Sequence, residues 1–342
     1  MASQKIFKVN KSNRIKPLVF LTFYFFSTFF CTNSLAEIVI GVVGKTKNDS
    51  FYIQSFKGCL AFASTNPDVS CIYDGPQDYQ DIRSQTFVVN KLVKKGVDGL
   101  LISTTDSNFL VNGSLKSIKE NKIPVITFDS DLLPQHEQYR LAYVGTDNYD
   151  FGMALGNYIK QFGKNALNSI CLQSGHPTTP NLNKRIAGVR FALAGENVER
   201  LIGENGWSEY TRCPLYSLGK RDIALQQFES IANMKQPPIF LAVAGFAQFS
   251  PHYINQTMKY KSRITSKEVI IVSADSESKQ LDALKHGLSV ANIGQKPFEM
   301  GRLGTELLYN YITQNQKPAK SHYYLDYHYC TESNAANCTV NH

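Results

Sequence analysis

Residues 37–58 read EIVIGVVGKTKNDSFYIQSFKG. The apolar run at 37–44 predicts a buried strand, the polar residues after it predict a loop, and the rest predicts a helix. The same succession recurs nearly to the end of the chain. Further apolar runs lie at 69–75, 98–104, 124–130, 141–147, 169–175, 239–245, 269–275 and 289–295. Runs that are apolar throughout are typical of parallel strands covered on both faces, so the alternation predicts an α/β protein.

The stretches between these runs have helical periodicity. In residues 79–96, Ile82, Phe87, Val88 and Leu92 are predicted to form the apolar face of a helix. The chain has 342 residues, of which 43% are hydrophobic and 19% charged. This length and composition indicate a globular protein with room for two domains.

The formal net charge of +8 comes mainly from the N-terminus. Residues 1–36 hold five of the 36 basic residues and none of the 28 acidic ones, which leaves 31 basic residues and a net charge of +3 in the remainder. A basic segment, the apolar run PLVFLTFYFFSTFFC (17–31) and the small residues before Glu37 are typical of a secretory signal peptide cleaved near Ala36. An uncleaved anchor or a lipid on Cys31 are the alternatives.

Export makes disulfides the expected state of the remaining cysteines. Six cysteines allow 15 pairings, and their sequence does not choose among them. Local order along the chain favours three pairs, and the spacings contain no CxxC motif for a zinc or redox site. The favoured pairs are Cys59 with Cys71, Cys171 with Cys213, and Cys330 with Cys338.

Polar residues stand at the ends of several predicted strands. Asp106 follows one strand, Asp129 and Asp275 end two others, and Gln295 ends a fourth. Ligands of open α/β sheets bind beyond the carboxyl ends of the strands, so these residues are candidates for a site. Capping of the following helix is the alternative for each, and it is the favoured role of Asp147.

Several segments of the chain, taken in their order, resemble segments of a known protein family. They are KNDSFYIQSFKG (47–58), KKGVDGLLISTTDS (94–107), IPVITFDSD (123–131), VGTDNYDFGMALGNYI (144–159), NKRIAGVRF (183–191), VIIVSADS (269–276) and IGQKPFEMG (293–301). In number, order and spacing they resemble the periplasmic sugar-binding proteins of ABC transporters, of the ribose- and galactose-binding type. The resemblance covers residues 37 to about 325.

The resemblance implies a two-lobed type I periplasmic binding protein, in which each lobe is a parallel sheet flanked by helices and three hinge crossings join the lobes. After a signal peptide at 1–36, the N-terminal lobe would hold residues 37–145 plus 296–322, and the C-terminal lobe 146–295 plus 323–342. Such lobes close on their ligand by hinge bending. A periplasmic monomer without a cofactor or metal is expected.

Carried over residue by residue, the resemblance also implies a ligand site. A sugar presents C–H faces to aromatic rings and hydroxyls to carboxylates and guanidinium groups. The residues expected to contact it are Asn48, Asp49, Phe51, Tyr52, Asp129, Arg185, Asp275 and Gln295.

The two rings are expected to form one flat wall only if the loop extends through them. Adjacent helical residues diverge by about 100°, so a helix beginning at Ser50 would send one ring to the ligand and the other to the core. Some positions depart from the ribose-binding pattern: Asp49 replaces Asn, Ser130 replaces Arg, and Leu218 and Ala274 replace aromatics. A hexose, an inositol or a modified sugar therefore remains open.

The function that this resemblance implies is capture of a monosaccharide or polyol for an ABC permease. Presentation of the ligand to a membrane sensor kinase or chemoreceptor is the alternative. Nucleic-acid binding is excluded, because a signal peptide stands where a repressor would carry a helix-turn-helix. Asp129 and Asp275 could be a glycosidase pair, but no catalytic motif accompanies them, so no enzymatic activity is expected.

For two features of the chain, a structural role is favoured over a functional one. His322 and His328 lie in SHYYLDYHYC (321–330), where an exposed strand edge is favoured over a metal site. Trp207 is expected to pack rather than to line a cleft.

Overall fold

The computed structural model describes residues 37–77, 80–163 and 168–338. The predicted signal peptide and Cys31 lie outside these residues. The apolar runs predicted from the sequence form strands in two sheets. The first sheet has the order β12-β5-β4-β3-β1-β2, and all its pairings are parallel. Its strands are β1 (Ile38–Val43), β2 (Val69–Asp74), β3 (Gly99–Ile102), β4 (Val125–Phe128), β5 (Ala142–Gly145) and β12 (His322–Tyr324).

The second sheet has the order β13-β11-β10-β9-β6-β7, with β8 paired to β6. It is parallel except for β13, which runs antiparallel to β11. Its strands are β6 (Asn168–Ser174), β7 (Trp207–Glu209), β8 (Leu215–Tyr216), β9 (Ile239–Ala242), β10 (Ile271–Ala274), β11 (Ala291–Gly294) and β13 (His328–Thr331). The short strands β7 and β8 were not expected from the sequence, because neither has a continuous apolar run.

Helices cover both sheets, as the alternation predicts. They are α1 (Ser50–Thr65), α2 (Ile82–Lys94), α3 (Ser107–Leu110), α4 (Lys116–Glu120), α5 (Asn148–Ile159), α6 (Pro180–Ala194), α7 (Arg221–Ala232), α8 (Tyr253–Thr257), α9 (Lys261–Thr265), α10 (Ser278–Lys285) and α11 (Pro297–Gln314). Helices α1 and α11 pack together over one face of the first sheet. Among the described residues, no helix combines the length and the apolar character needed to cross a bilayer.

Close packing of α1 on α11 depends on glycine. A Cβ on Gly58 would lie 2.0 Å from the carbonyl oxygen of Phe298, and one on Gly301 would lie 1.8 Å from that of Ser55. Real Cβ contacts are never this short, so the two backbones can touch only because both residues lack a side chain.

The chain passes between the two sheets three times, which divides it into the two lobes that the resemblance implies. The crossings follow β5, β11 and β12. Strand β12 lies beside β5 in the first sheet, and β13 lies beside β11 in the second. The tail 321–330 is therefore two edge strands, one in each lobe.

The described cysteines form Cys59–Cys71, Cys171–Cys213 and Cys330–Cys338 disulfides, the pairing that local order favours. Trp207 is buried in the core of the second lobe, in agreement with a packing role. Phe87 differs from its prediction: it is 70% exposed, although Val88 and Leu92 of the same helix are buried. Residue 87 lies about 100° around the helix from 88, and α2 is covered only on the side of Val88.

Candidate functional site

A polar cavity lies where the carboxyl ends of the two sheets meet. The first lobe contributes Lys45, Asp49, Phe51, Tyr52, Gln80 and Asp129 to its wall, and the second contributes Asn181, Leu182, Arg185, Ala244, Phe246, Phe249, Asp275 and Gln295. Seven of the eight residues predicted for the ligand site are brought together here.

Asn48 is the predicted residue that the structure does not bring to the cavity. Its side chain is exposed, and its Nδ2 donates to the carbonyl oxygen of Gln77 at 2.9 Å. The neighbouring Asp49 takes the inward direction instead, because it is the N-cap of α1 and accepts a hydrogen bond from the Phe51 amide. The sequence places Asn48 and Asp49 in the loop after β1, but it does not indicate which of the two side chains points into the cavity.

Asp129 and Asp275 occupy matching positions in the two lobes. Each directly follows a central strand, β4 or β10, and each has a positive φ, of 57° and 71°. Positive φ is uncommon for residues other than glycine, and aspartate tolerates it better than most. Each amide donates to a carbonyl of the adjacent strand, Val144 or Ile293, so the turn is held by the backbone of its own sheet. Both carboxylates are thereby directed into the cavity.

The Asp129 carboxylate is already surrounded by protein donors. Five side chains reach it: Lys45, Tyr52 and Ser103 at Oδ2, and Asn181 and Arg185 at Oδ1, at 2.8–3.4 Å. Burial favours a raised pKa, but the two cations and the hydrogen bonds more than offset it and hold the pKa of Asp129 below its ordinary value. Asp129 therefore remains ionised, and its role is to organise the donors around it.

Lys45 is a site residue that the sequence pattern did not reveal. It follows β1, is 1% exposed, and places Nζ 3.1 Å from Asp129 Oδ2 and 2.8 Å from Asn181 Oδ1. Burial lowers the pKa of Lys45, and the negative charge of Asp129 opposes this shift without cancelling it. The like charge of Arg185 lowers the pKa further. The available signal was its position beyond the carboxyl end of a central strand, which is also the position of Asp129.

Arg185 reaches across both lobes from α6. Its Nε donates to Asn148 Oδ1 at 2.8 Å, and its terminal nitrogens donate to Val243 O and Gln295 Oε1, both at 2.9 Å. The guanidinium also lies over the Phe151 ring, 4.7 Å from its centroid. This network fixes a fully buried cation at the junction of the lobes.

Gln295 connects Arg185 to the aspartate of the second lobe. While its Oε1 accepts from Arg185, its Nε2 donates to Asp275 Oδ1 at 2.7 Å. The Gly245 amide donates to the other oxygen of Asp275 at 3.3 Å. Burial raises the pKa of Asp275, and Arg185 opposes that shift.

The two rings of the first lobe both line the cavity, although α1 begins at Ser50. The expectation that one ring would leave the site was therefore wrong. The helix start faces the cavity, so two residues of its first turn reach it. The rings do not form one flat wall, as expected when the helix begins at Ser50: the ring planes of Phe51 and Tyr52 are inclined by 73°. Tyr52 instead uses its hydroxyl on Asp129, at 3.1 Å.

Direct contacts join the lobes around the cavity. The backbone N–H of Gln80 donates to the carbonyl oxygen of Leu218 at 3.0 Å, and Thr178 Oγ1 donates to Asp106 Oδ2 at 2.6 Å. Asp106 also caps α3 through the Phe109 amide, so its capping role and its contact role coexist.

The site at His322 is not arranged as a metal centre. Asp131, Glu137 and His322 lie close together, but Arg140 stands among them, with a guanidinium nitrogen 2.6 Å from Asp131 and 3.0 Å from His322 Nε2. A cation already occupies the space between these ligands.

Comparison with known proteins agrees with this architecture. Residues 40–317 match the model of a family described as periplasmic binding protein domain. The chain belongs to this family. Over 171 residues it is 28% identical to the D-ribose/D-allose-binding protein of Pseudomonas aeruginosa, a match that covers 49% of this chain and about half, 53%, of that relative.

A longer match relates this periplasmic binding protein to the ribose import binding protein RbsB of Bacillus subtilis. The two are 24% identical over 272 residues, which cover 79% and 80% of the respective chains. Among solved structures, a solute binding protein of an ABC transporter from Agrobacterium vitis, bound to α-D-tagatopyranose, superposes with a TM-score of 0.74. That match is 20% identical and covers 88% of this chain and 97% of the other, so it supports the fold.

Proposed function

We propose that this protein captures a monosaccharide or a related polyol between its lobes and delivers it to an ABC permease. The observation that carries the proposal is the cavity itself, where Asp129 of one lobe and Arg185 of the other meet in a buried ion pair with Oδ1–NH2 at 3.4 Å. Planar hydrogen-bonding groups beside aromatic rings suit a ring with hydroxyls at its rim and C–H groups on its faces. The ribose-binding relatives support the same ligand class.

The arrangement of Asp129 favours binding over catalysis. A nucleophile or general base needs an oxygen available to the substrate. Both Asp129 oxygens already accept from protein donors, so the residue positions binding groups and performs no acid–base chemistry. We therefore assign no enzymatic activity to the protein.

We further propose lobes close to those expected from the sequence, with residues 37–145 plus 296–324 in the first and 146–295 plus 328–338 in the second. The expected boundary after residue 322 falls inside β12, which belongs to the first sheet, so the final crossing lies between β12 and β13. Export to the periplasm as a monomer, after cleavage near Ala36, completes the proposal. The three disulfides favour an oxidising compartment.

The test is isothermal calorimetry of the mature chain against a panel of pentoses, hexoses, amino sugars and inositols. A dissociation constant near 1 μM would correspond to about −8 kcal/mol. Arg185→Lys, which keeps the charge but loses the planar fork, is expected to weaken binding at least about tenfold. Arg212→Lys is the matched control, since residue 212 is exposed and lies outside the cavity wall. Absence of binding to every member of the panel would refute the proposal.

A further inference from the structure

The charges in the cavity wall are unequal. Among the wall residues that the structure describes, three carboxylates, of Asp49, Asp129 and Asp275, face two cations, Lys45 and Arg185. Both cations contact Asp129, and Arg185 is connected to Asp275 through Gln295. Neither cation contacts Asp275 or Asp49 directly, and Asp49 also lacks a bridging side chain of the kind that Gln295 supplies to Asp275.

Asp49 combines deep burial with an unused acceptor. It is 5% exposed and lines the cavity. Its Oδ1 accepts from the Phe51 amide at 3.0 Å, whereas its Oδ2 accepts no hydrogen bond from the residues that the structure describes. Over the same residues, no Lys or Arg nitrogen lies within ion-pair distance of Asp49.

The charged groups around Asp49 are mostly acidic. The negative charges of Asp275 and Asp129 act to raise the pKa of Asp49, and the positive charge of Arg221 acts to lower it. Asp49 in turn acts to raise the pKa of Glu277, which the exposed Lys57 opposes. The Arg221 guanidinium itself donates to the Asn48 carbonyl oxygen. Glu277 is 2% exposed, and its Oε1 has no hydrogen-bond partner among the described residues. Over the described residues, this side of the cavity has more buried negative groups than positive ones.

We infer that the ligand carries an ammonium group that binds Asp49 Oδ2, which makes it an amino sugar. This inference rests on the proposed function and narrows its ligand class. An ammonium has three donors and no acceptor, so it matches an ionised carboxylate without a cation. A hydroxyl brings no charge, so with a neutral sugar the excess of negative charge in the closed cleft is relieved only when a carboxylate takes up a proton.

Proton linkage distinguishes the two kinds of ligand. Burial raises the pKa of Asp49 to about 6, with Arg221 opposing the shift. A neutral sugar buries this carboxyl further and favours its protonated form, so binding near that pH takes up protons. An ammonium favours the ionised form, so binding releases protons.

The experiment is calorimetry of the mature chain with matched pairs: glucosamine and glucose, galactosamine and galactose, and mannosamine and mannose. Measurements at about pH 6.5 keep the amines protonated, and two buffers of different ionisation enthalpy report the proton change. N-acetylated sugars serve as uncharged analogues of similar shape. We expect one amino sugar to bind about 10- to 100-fold more tightly than its parent and its N-acetyl form.

The variant Asp49→Asn tests the residue. Asparagine keeps the N-cap of α1, so the helix start is preserved while the charge is lost. We expect the preference for the amino sugar, taken as the ratio of its affinity to that of the parent sugar, to fall at least about tenfold, whatever the change in affinity for the parent sugar itself. Asp282→Asn, an exposed change on α10, should leave both affinities unchanged.

The outcomes separate this inference from the proposed function. Binding of neutral sugars with equal or weaker binding of every amino sugar would overturn the inference and leave the function in place. An amino-sugar preference that survives in Asp49→Asn would overturn the assignment of the residue. Failure of every sugar, charged or neutral, would overturn both.

Discussion

Replacing Asp129 by Asn should destabilise the ligand-free protein strongly, because it removes the counterion of two buried cations. Lys45 Nζ lies 3.1 Å from the carboxylate, and the two side chains are only 2% and 5% exposed, so water does not screen the pair. At an effective dielectric constant of about 20, such a pair is worth about 5 kcal/mol before desolvation. Breaking a buried pair by removing one partner typically costs about 3–5 kcal/mol.

Asparagine isolates the effect of charge. It has nearly the same shape as aspartate and also tolerates positive φ, so the turn after β4 is retained. We therefore expect the free energy of unfolding to fall by about 3–5 kcal/mol, measured by urea titration with circular dichroism, with the disulfides intact and without ligand. The exposed change Asp282→Asn should cost less than about 0.5 kcal/mol.

A double variant sharpens the test. When Lys45→Met accompanies Asp129→Asn, the first lobe loses both members of its pair and no unpaired ammonium remains. The loss of unfolding free energy in the double variant should be smaller than the sum of the losses in the two single variants, by at least about 1.5 kcal/mol. Additive effects, or a cost below about 1 kcal/mol for Asp129→Asn alone, would refute the view that Asp129 holds this charge cluster together.

Three further predictions concern stability. Burial raises the pKa of Glu277 to about 8 and that of Asp49 to about 6. The folded state therefore binds more protons than the unfolded chain between about pH 4.5 and 8, so the free energy of unfolding should fall as pH rises through this window, by up to about 1.4 kcal/mol per pH unit for each proton. Glu277→Gln should flatten the upper part of a urea-midpoint profile, and an unchanged profile would contradict this assignment. Gly58→Ala should lower the free energy of unfolding by more than about 2 kcal/mol, because the added Cβ forces α1 away from α11. The control Ala61→Gly, at a half-buried position of the same helix, should lower it by only about 1 kcal/mol. Equal melting temperatures of the two variants would count against the close packing. Replacing both Cys171 and Cys213 by serine should lower the free energy of unfolding by about 4 kcal/mol, because their disulfide closes a loop of 42 residues in the unfolded chain. The same change at Cys330 and Cys338, which are 8 residues apart, should lower it by about 2.5 kcal/mol. The reverse order in denaturant titrations would rule out loop length as the main factor.

Local patterns in the sequence were enough to predict the α/β class and the positions of the main strands, whereas the two lobes were expected from the family resemblance. Continuous apolar runs such as 98–104 and 124–130 became the central strands β3 and β4, because a strand covered on both faces needs apolar side chains in both directions. Asp147 caps α5, as its position before a helical stretch predicts. Chain order also favoured the disulfide pairs, since each links cysteines that lie close together in the sequence or in adjacent elements.

The sequence by itself determined the fold class and the carboxyl-end position of the site, and its resemblance to a known family supplied seven of the fourteen residues in the wall. Only the tertiary structure decided that Asn48 points to solvent while Asp49 points inward, and that Lys45 shares Asp129 with Arg185. It also decided that Asp129 is saturated by protein donors and Asp49 is not. Periodicity reports which residues a strand or helix buries, and it depends on neighbours along the chain. The direction of a loop side chain and the number of its partners depend on elements from the other lobe, up to 136 residues away for Lys45 and Asn181, and no local pattern contains that information.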